Sequence, residues 1–331
     1  MKAVGYRVNG AAEVLIDMEV AMPTPGARDL LVAVKAVSVN PVDSKVRALE
    51  APPQGEAKIL GWDAAGVVTA TGSDVRLFRP GDEVFYAGAI HRPGCNSEYH
   101  VVDERIVGPK PRSLSFEEAA ALPLTSITAW EILFDRMRVD RQKRGTLLVI
   151  AAAGGVGSVL VQLARQLTQL TVVGTASREE SAEFVRHMGA HHIIDHRRPF
   201  ADGLRELRLP AADYVAALTT TPRSIPWIID ALRPQGHVNF IDNPDVGVMP
   251  FKPKSLTISL EMMFTRSLFQ TDDMVEQHRL LNEVATLVDA GTVRTTVTRK
   301  LGPLTAAHLA AAHRHLEEGR SIGKTVLGGF P

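Results

Sequence analysis

Cysteine is nearly missing from this 331-residue chain: Cys95 is the one thiol. That excludes an internal disulfide framework and a thiolate-rich structural zinc site, since both need several cysteines in one chain. Net charge is missing too, with 37 Lys+Arg against 37 Asp+Glu. The balance removes the electrostatic case for binding nucleic acid or an anionic membrane surface. No apolar run approaches the ~18 residues of a spanning helix, and the start, MKAVGYRVNGAAEVLIDMEV, has no apolar leader-like stretch. The expectation is a soluble, cytoplasmic protein. Internal repeats and low-complexity linkers are absent as well.

What is present is the composition of an ordinary globular enzyme, 45% hydrophobic and 22% charged. The length suits two domains at roughly 100–200 residues each. Residues 1–120 read as β-rich: LLVAVKAVSVN (30–40), AAGVVTATG (64–72) and GDEVFYAG (81–88) are strand-like runs bounded by Gly, Pro, Asn and Asp. In SFEEAAALPLTSITAWEILF (115–134) the texture turns helical, opened by the capping-box spacing of Ser115 and Glu118. From Gly145 onward strands and helices alternate, with strands expected at 146–150, 170–176, 191–195, 212–218 and 236–241. That alternation predicts βαβ units and a parallel sheet. Two further helical stretches follow after the alternation stops.

The segment LLVIAAAGGVGSVLVQLARQ (147–166) places Ala152-x-Gly154-x-x-Gly157 between a predicted strand and a predicted helix. This is the dinucleotide spacing with alanine in the first place, in the context the motif requires. Gly154 lets backbone approach a pyrophosphate, Gly157 lets helix and strand pack closely, and the helix N-terminus supplies partial positive charge. About 20 residues on, NAD-binding chains place an acid on the ribose hydroxyls. Here Ser177 and Arg178 stand there, and Glu179 and Glu180 begin the next helix. A hydroxyl beside a guanidinium suits a 2′-phosphate, so NADPH is the expected cofactor.

With VSVNPVDSKVR (37–47), GWDAAGVVTATGSDVRLFRPGDEV (61–84), LPLTSITAWEIL (122–133), the glycine turn and GKTVL (323–327) in this order, the chain resembles the medium-chain dehydrogenase/reductase superfamily over essentially its whole length. Within it, the resemblance is to the quinone oxidoreductase and zinc-type alcohol dehydrogenase-like branch. It implies an α/β fold: a doubly wound parallel Rossmann sheet, plus a GroES-like, partly open β-barrel catalytic domain. The expected boundaries are 1–124 for the catalytic domain, 125–262 for the NADP-binding domain and 263–331 for a return to the first. It also implies a homodimer made through the Rossmann sheet edge.

The metal is where the sequence departs. Zinc-using members place Cys in the segment that here reads NPVD, and His-Glu where this chain has Gly61-Trp62-Asp63. Asn40 does not replace a thiolate and Trp62 offers no ligand lone pair, so no metal site is expected. The histidines of HMGAHHIIDH and of HLAAAHRH (308–315) are expected to be loop, strand and helix-surface residues. Without a Lewis acid, the implied chemistry is hydride transfer from NADPH to a quinone or an α,β-unsaturated carbonyl. Two alternatives stay open: a metal-dependent alcohol dehydrogenase with atypical ligands, and an NADPH-binding protein without turnover.

The resemblance implies Lys45 and Asn40 as catalytic residues, Lys45 polarising the substrate carbonyl and Asn40 aimed at the nicotinamide ribose or substrate. Tyr86 is a weaker candidate donor, and Trp62 narrows the substrate site or packs in the core. Cofactor contacts are expected from Thr128, Ala153, Gly154, Gly155, Val156, Gly157, Ser177, Arg178 and His196. Segments 241–243 and 262–264 border the nicotinamide by the same analogy.

Overall fold

The computed structural model describes residues 1–331, which divide into two compact units: 1–127 with 264–331, and 128–263. In the first, β1 (Lys2–Tyr6) pairs antiparallel with β2 (Ile16–Glu19) and β4 (Lys58–Ile59). The long strand β3 (Asp29–Ser38) alternates buried and half-buried residues along its first six positions, as a strand with one face on a core requires. After Asn40, Pro41 opens α1 (Pro41–Leu49), its fixed φ and missing N–H suiting a first helical position. β5 (Ala64–Thr71) lies along one edge of β3. β6 (Glu83–Tyr86), β7 (Tyr99–Asp103) and β8 (Val107–Pro109) follow, β7 pairing with the first half of β3. Ser115 and Glu118 form the predicted capping box of α2 (Phe116–Ala120), and the division between units falls within α3 (Pro123–Trp130).

The second unit is one parallel sheet of β9 (Arg144–Ile150), β10 (Gln169–Thr175), β11 (His192–Ile194), β12 (Ala212–Ala217), β13 (Leu232–Phe240) and β14 (Thr257–Leu260). The crossovers carry α4 (Gly155–Leu167), α5 (Glu179–His187), α6 (Phe200–Glu206) and α7 (Ser224–Ala231). The order is β11-β10-β9-β12-β13-β14, so the strand sequence reverses beside β9. A reversal leaves a crevice outside the carboxyl ends of the strands, where ligands of such sheets sit. The core is a cluster of branched and aromatic side chains, among them Leu148, Val173, Val215, Val238, Phe240 and Phe251. Such near-continuous apolar strands are those of a sheet covered on both faces. The sixth strand, β14, is not among the strands expected from the sequence.

The chain then returns to the first unit with α8 (Thr265–Phe269), α9 (Glu276–Asp289), β15 (Val297–Pro303), α10 (Ala306–Glu317) and β16 (Lys324–Gly328). β16 pairs with the second half of β3, completing an open sheet of order β15-β16-β3-β5-β6-β8 with β7 attached to β3. No helix is long and apolar enough to cross a membrane.

Candidate active site

The glycine turn of the second unit is shaped by close approach. A Cβ on Gly157 would lie 2.5 Å from the Ala151 carbonyl oxygen and 2.7 Å from Ala152 Cα, backbone atoms that cannot yield cheaply. On Gly154 the nearest atom would be 3.4 Å away, an ordinary contact. Gly157 therefore serves the packing of helix on strand, while Gly154 leaves open space in front of the turn. Ala151 takes φ 58°, a left-handed conformation costly for a residue with a side chain. Its N–H donates to Thr175 Oγ1 at 3.0 Å and its carbonyl accepts from Gly154 N at 3.1 Å, which hold it there. Gly154 is the N-cap of α4, and Ala153, Gly155 and Val156 are half-buried around it. First-turn N–H groups have no acceptor within their own helix, so Gly155, Val156 and Gly157 can present theirs to an anion.

Ser177 and the exposed Arg178 follow β10 directly, Arg178 being the N-cap of α5. The exposed His196 follows Asp195 just past β11, the neighbouring strand of β10. Asp195 lies at this corner, and Arg197 engages it with Nη2–Oδ2 2.6 Å, holding its carboxyl down at about 2. Its charge is answered within the loop by Arg197. Thr128 is buried near the start of this unit. These residues and the turn fit a dinucleotide phosphate.

The first unit holds a buried polar cluster. Asp63 is fully buried: its Oδ1 accepts from Leu124 N at 2.8 Å, and its Oδ2 from Asn40 Nδ2 at 2.9 Å and Lys324 Nζ at 3.0 Å. Lys324 Nζ also donates to Val39 O at 2.8 Å and to Asn40 Oδ1 at 2.5 Å. An ammonium has three donors, and all three are used. Asp43 caps α1 by accepting from Asn40 N at 2.7 Å and reaches Gly61 N at 3.1 Å. Burial pushes the Asp43 carboxyl up to about 7, and burial likewise raises Asp63 against the pull of Lys324. Gly61, at φ 111°, sits where a Cβ would meet Asn96 and Cys95 at under 3 Å.

This donor set does not fit a zinc ion. Three protein ligands with lone pairs aimed at one point are needed, and no group of three or more His, Cys, Asp or Glu side chains is placed to hold a metal. The oxygens of Asp63 are taken by hydrogen bonds, and Cys95 is buried with its thiol pushed well up. Trp62 is 1% exposed, packs edge-on against Phe264 with centroids 6.1 Å apart, and its Nε1–H has no partner.

The other candidates separate. Asn40 lies inside the cluster, whereas Lys45 is exposed on α1, whose buried residues are Asp43, Ser44, Val46 and Arg47. Tyr86 is buried, with its hydroxyl 3.2 Å from His100 Nδ1 and the two rings stacked, so it serves the core. His191 Nδ1 accepts from Val172 N at 2.9 Å, a strand-end role. His313 corrects the expectation of a helix-surface residue: it is fully buried with Nδ1 3.0 Å from Arg47 Nη1. The helix turns that face onto α1, and only tertiary packing decides which face is inward. Asp63 and Lys324 were not singled out as functional; the signal for Lys324 was a lysine heading a strand otherwise apolar enough to be buried.

Residues 26–112 match the alcohol dehydrogenase GroES-like domain family, and 188–327 the zinc-binding dehydrogenase family. A zinc-type alcohol dehydrogenase-like protein of Staphylococcus aureus is 39% identical over 311 residues, 92% of each chain. A solved Rhizobium etli protein, carrying a provisional zinc-dependent alcohol dehydrogenase name, is 52% identical with a TM-score of 0.97 over 100% of this chain and 98% of its own. The Escherichia coli quinone oxidoreductase solved with NADPH is 26% identical with a TM-score of 0.85, covering 99% of this chain and 100% of its own. The chain belongs to the medium-chain dehydrogenase/reductase superfamily, in the branch of zinc-type alcohol dehydrogenase-like proteins and quinone oxidoreductases.

Proposed function

We propose that this oxidoreductase takes a hydride from NADPH to reduce quinones or α,β-unsaturated carbonyls, without a zinc ion. The observation that carries the reading is the saturated Asn40–Asp63–Lys324 cluster beside Trp62, which leaves no ligand set for a Lewis acid. The NADPH complex of the quinone oxidoreductase relative supports the cofactor. NADPH, when bound, supplies the hydride. The N–H groups of Gly155, Val156 and Gly157, with the α4 N-terminus, hold the pyrophosphate. Thr128 and Ala153 line the cofactor, and Ser177, Arg178 and His196 receive the 2′-phosphate.

Reduction leaves negative charge on the acceptor oxygen, delocalised as an enolate or hydroquinone anion. Hydrogen-bond donors suffice for such an ion where a simple alkoxide would call for a metal. Asn40 keeps one side-chain N–H beyond its bond to Asp63 for this role. Lys45 keeps a free ammonium on a flexible stem to polarise the carbonyl. The homodimer is proposed through β14, an edge strand of the sheet that ends at Leu260 with Met262 two residues on, 69% and 48% exposed.

The names of the Staphylococcus and Rhizobium relatives favour a second reading, a zinc alcohol dehydrogenase. A panel separates the two: NADPH with 9,10-phenanthrenequinone and with alkenals, against NADP⁺ with primary alcohols. Turnover of the quinone or alkenals alone supports the proposal. Turnover of alcohols alone overturns it.

A further inference from the structure

We propose that Lys324 is a positioning residue: with Asp63 it locks the Asn40 amide in one orientation, so that its spare N–H is a permanent donor toward the reacting groups. The inference rests on the proposed reductase reading for what that donor meets. The geometry itself lies wholly within the first unit.

An asparagine amide has two nearly isosteric ends, one accepting and one donating, and a flip exchanges them. Here each end faces a full charge of opposite preference. The Lys324 ammonium stands 2.5 Å from Asn40 Oδ1, and the Asp63 carboxylate accepts from Nδ2 at 2.9 Å. A flip would point N–H groups at an ammonium and a carbonyl oxygen at a carboxylate, in a site where little water screens the conflict. Lys324 and Asp63 also bind one another at 3.0 Å, closing a three-membered circuit. The backbone is fixed as well, because Asn40 N donates to Asp43 Oδ2 at 2.7 Å. One amide N–H is left outside this circuit, and neither its direction nor its sign can change while the charges are present.

Removing one charge strands the other, so the test removes both. In D63N/K324M, the amide introduced at position 63 offers N–H donors where Asp63 had only acceptors. Asn40 can then flip to present its carbonyl, which turns the spare donor into an acceptor. The expected result is a protein with a near-wild-type melting temperature whose kcat for quinone or enone falls about 10- to 100-fold, the scale of a misplaced group near a reacting centre. NADPH affinity at the phosphates stays unchanged. N40A alone shows a similar fall, and N40A in the double-variant background adds almost nothing, because Lys324 and Asp63 act through Asn40. Wild-type kcat in D63N/K324M overturns the proposal, as do losses that multiply when N40A is added.

A second readout needs no turnover. With selective ¹⁵N-asparagine labelling, the Asn40 side-chain protons are expected to exchange slowly in the wild type and rapidly in D63N/K324M. Equal exchange in the two overturns the lock. If the wild type reduces no acceptor, the reductase reading fails while the exchange experiment still decides this one. Should the double variant not fold, K324R keeps the charge. Its planar head does not reach Val39 O, Asn40 Oδ1 and Asp63 Oδ2 together, and faster exchange at Asn40 is expected at an unchanged melting temperature.

Discussion

The two units build their candidate binding features by opposite means. In the second, the turn between β9 and α4 is made of backbone, from residues adjacent in sequence, and its specification is the space that glycines leave free. In the first, the cluster is made of charged and amide side chains drawn from positions 40, 43, 63 and 324. A backbone site tolerates any residue that leaves its conformation alone, and fails when a Cβ intrudes. A buried charge network fails when either partner is lost, and survives when both are replaced together.

The largest effect expected is on that network. Asp63→Ala or Lys324→Ala leaves an unpaired buried charge and costs about 3–5 kcal/mol of stability, measured by urea unfolding, whereas D63N/K324M stays near wild type. Single variants as stable as the double would erase the contrast between the units.

In the turn the contrast is between two glycines. Gly157→Ala forces a Cβ to 2.5 Å from the Ala151 carbonyl and is expected to cost about 1–3 kcal/mol together with NADPH binding. Gly154→Ala meets nothing closer than 3.4 Å and should leave thermal stability alone while weakening NADPH binding in a fluorescence titration. Equal melting temperatures for the two would show that the helix does not depend on close approach at Gly157.

The contrast has a pH counterpart. In the first unit, burial drives His100 down to about 4 and His313 to about 3, below their ordinary 6.5. The unfolded chain then binds more protons below pH ~6.5, so stability falls as pH drops there, by about 1.4 kcal/mol per unit for each histidine. Asp43 is raised to about 7, and in the second unit burial and the Glu131 carboxylate raise Glu261 to about 9. For these the folded state binds more protons from pH ~4 upward, so stability falls as pH rises to about 7 and about 9 respectively. The opposed slopes predict a stability maximum on the mildly acid side. Glu261→Gln should remove the decline between pH 7 and 9 in thermal melts. A decline that persists in that variant contradicts the assignment.

The smallest effect is at the corner of the nucleotide sheet. Arg178→Ala should lower the preference for NADPH over NADH about tenfold, the loss of roughly one charge-assisted contact. NADH kinetics should not change.

The same distinction decides what the sequence could tell. The glycine turn and the parallel sheet were legible because each depends on residues close in sequence. β14 was not, since TISL is only four residues long and holds just two apolar side chains, Ile258 and Leu260. The partnership of Lys324 with Asp63 spans 261 positions, and no local pattern reports such a pairing. His313 reads as one more polar residue on an Ala-rich helix until α1 is packed against it. Lys45 was implied by the resemblance of NPVDSK to the family, and it stands exposed on α1, whose inward residues are Asp43, Ser44, Val46 and Arg47.

The central claim is hydride transfer from NADPH with no metal involved. Its most direct test is the rate of NADPH oxidation with 9,10-phenanthrenequinone by protein stripped of metals with a chelator, before and after adding stoichiometric zinc. The account predicts full turnover in the stripped protein, preferring NADPH to NADH and unmoved by zinc. Activity that vanishes on stripping and returns with zinc would contradict it.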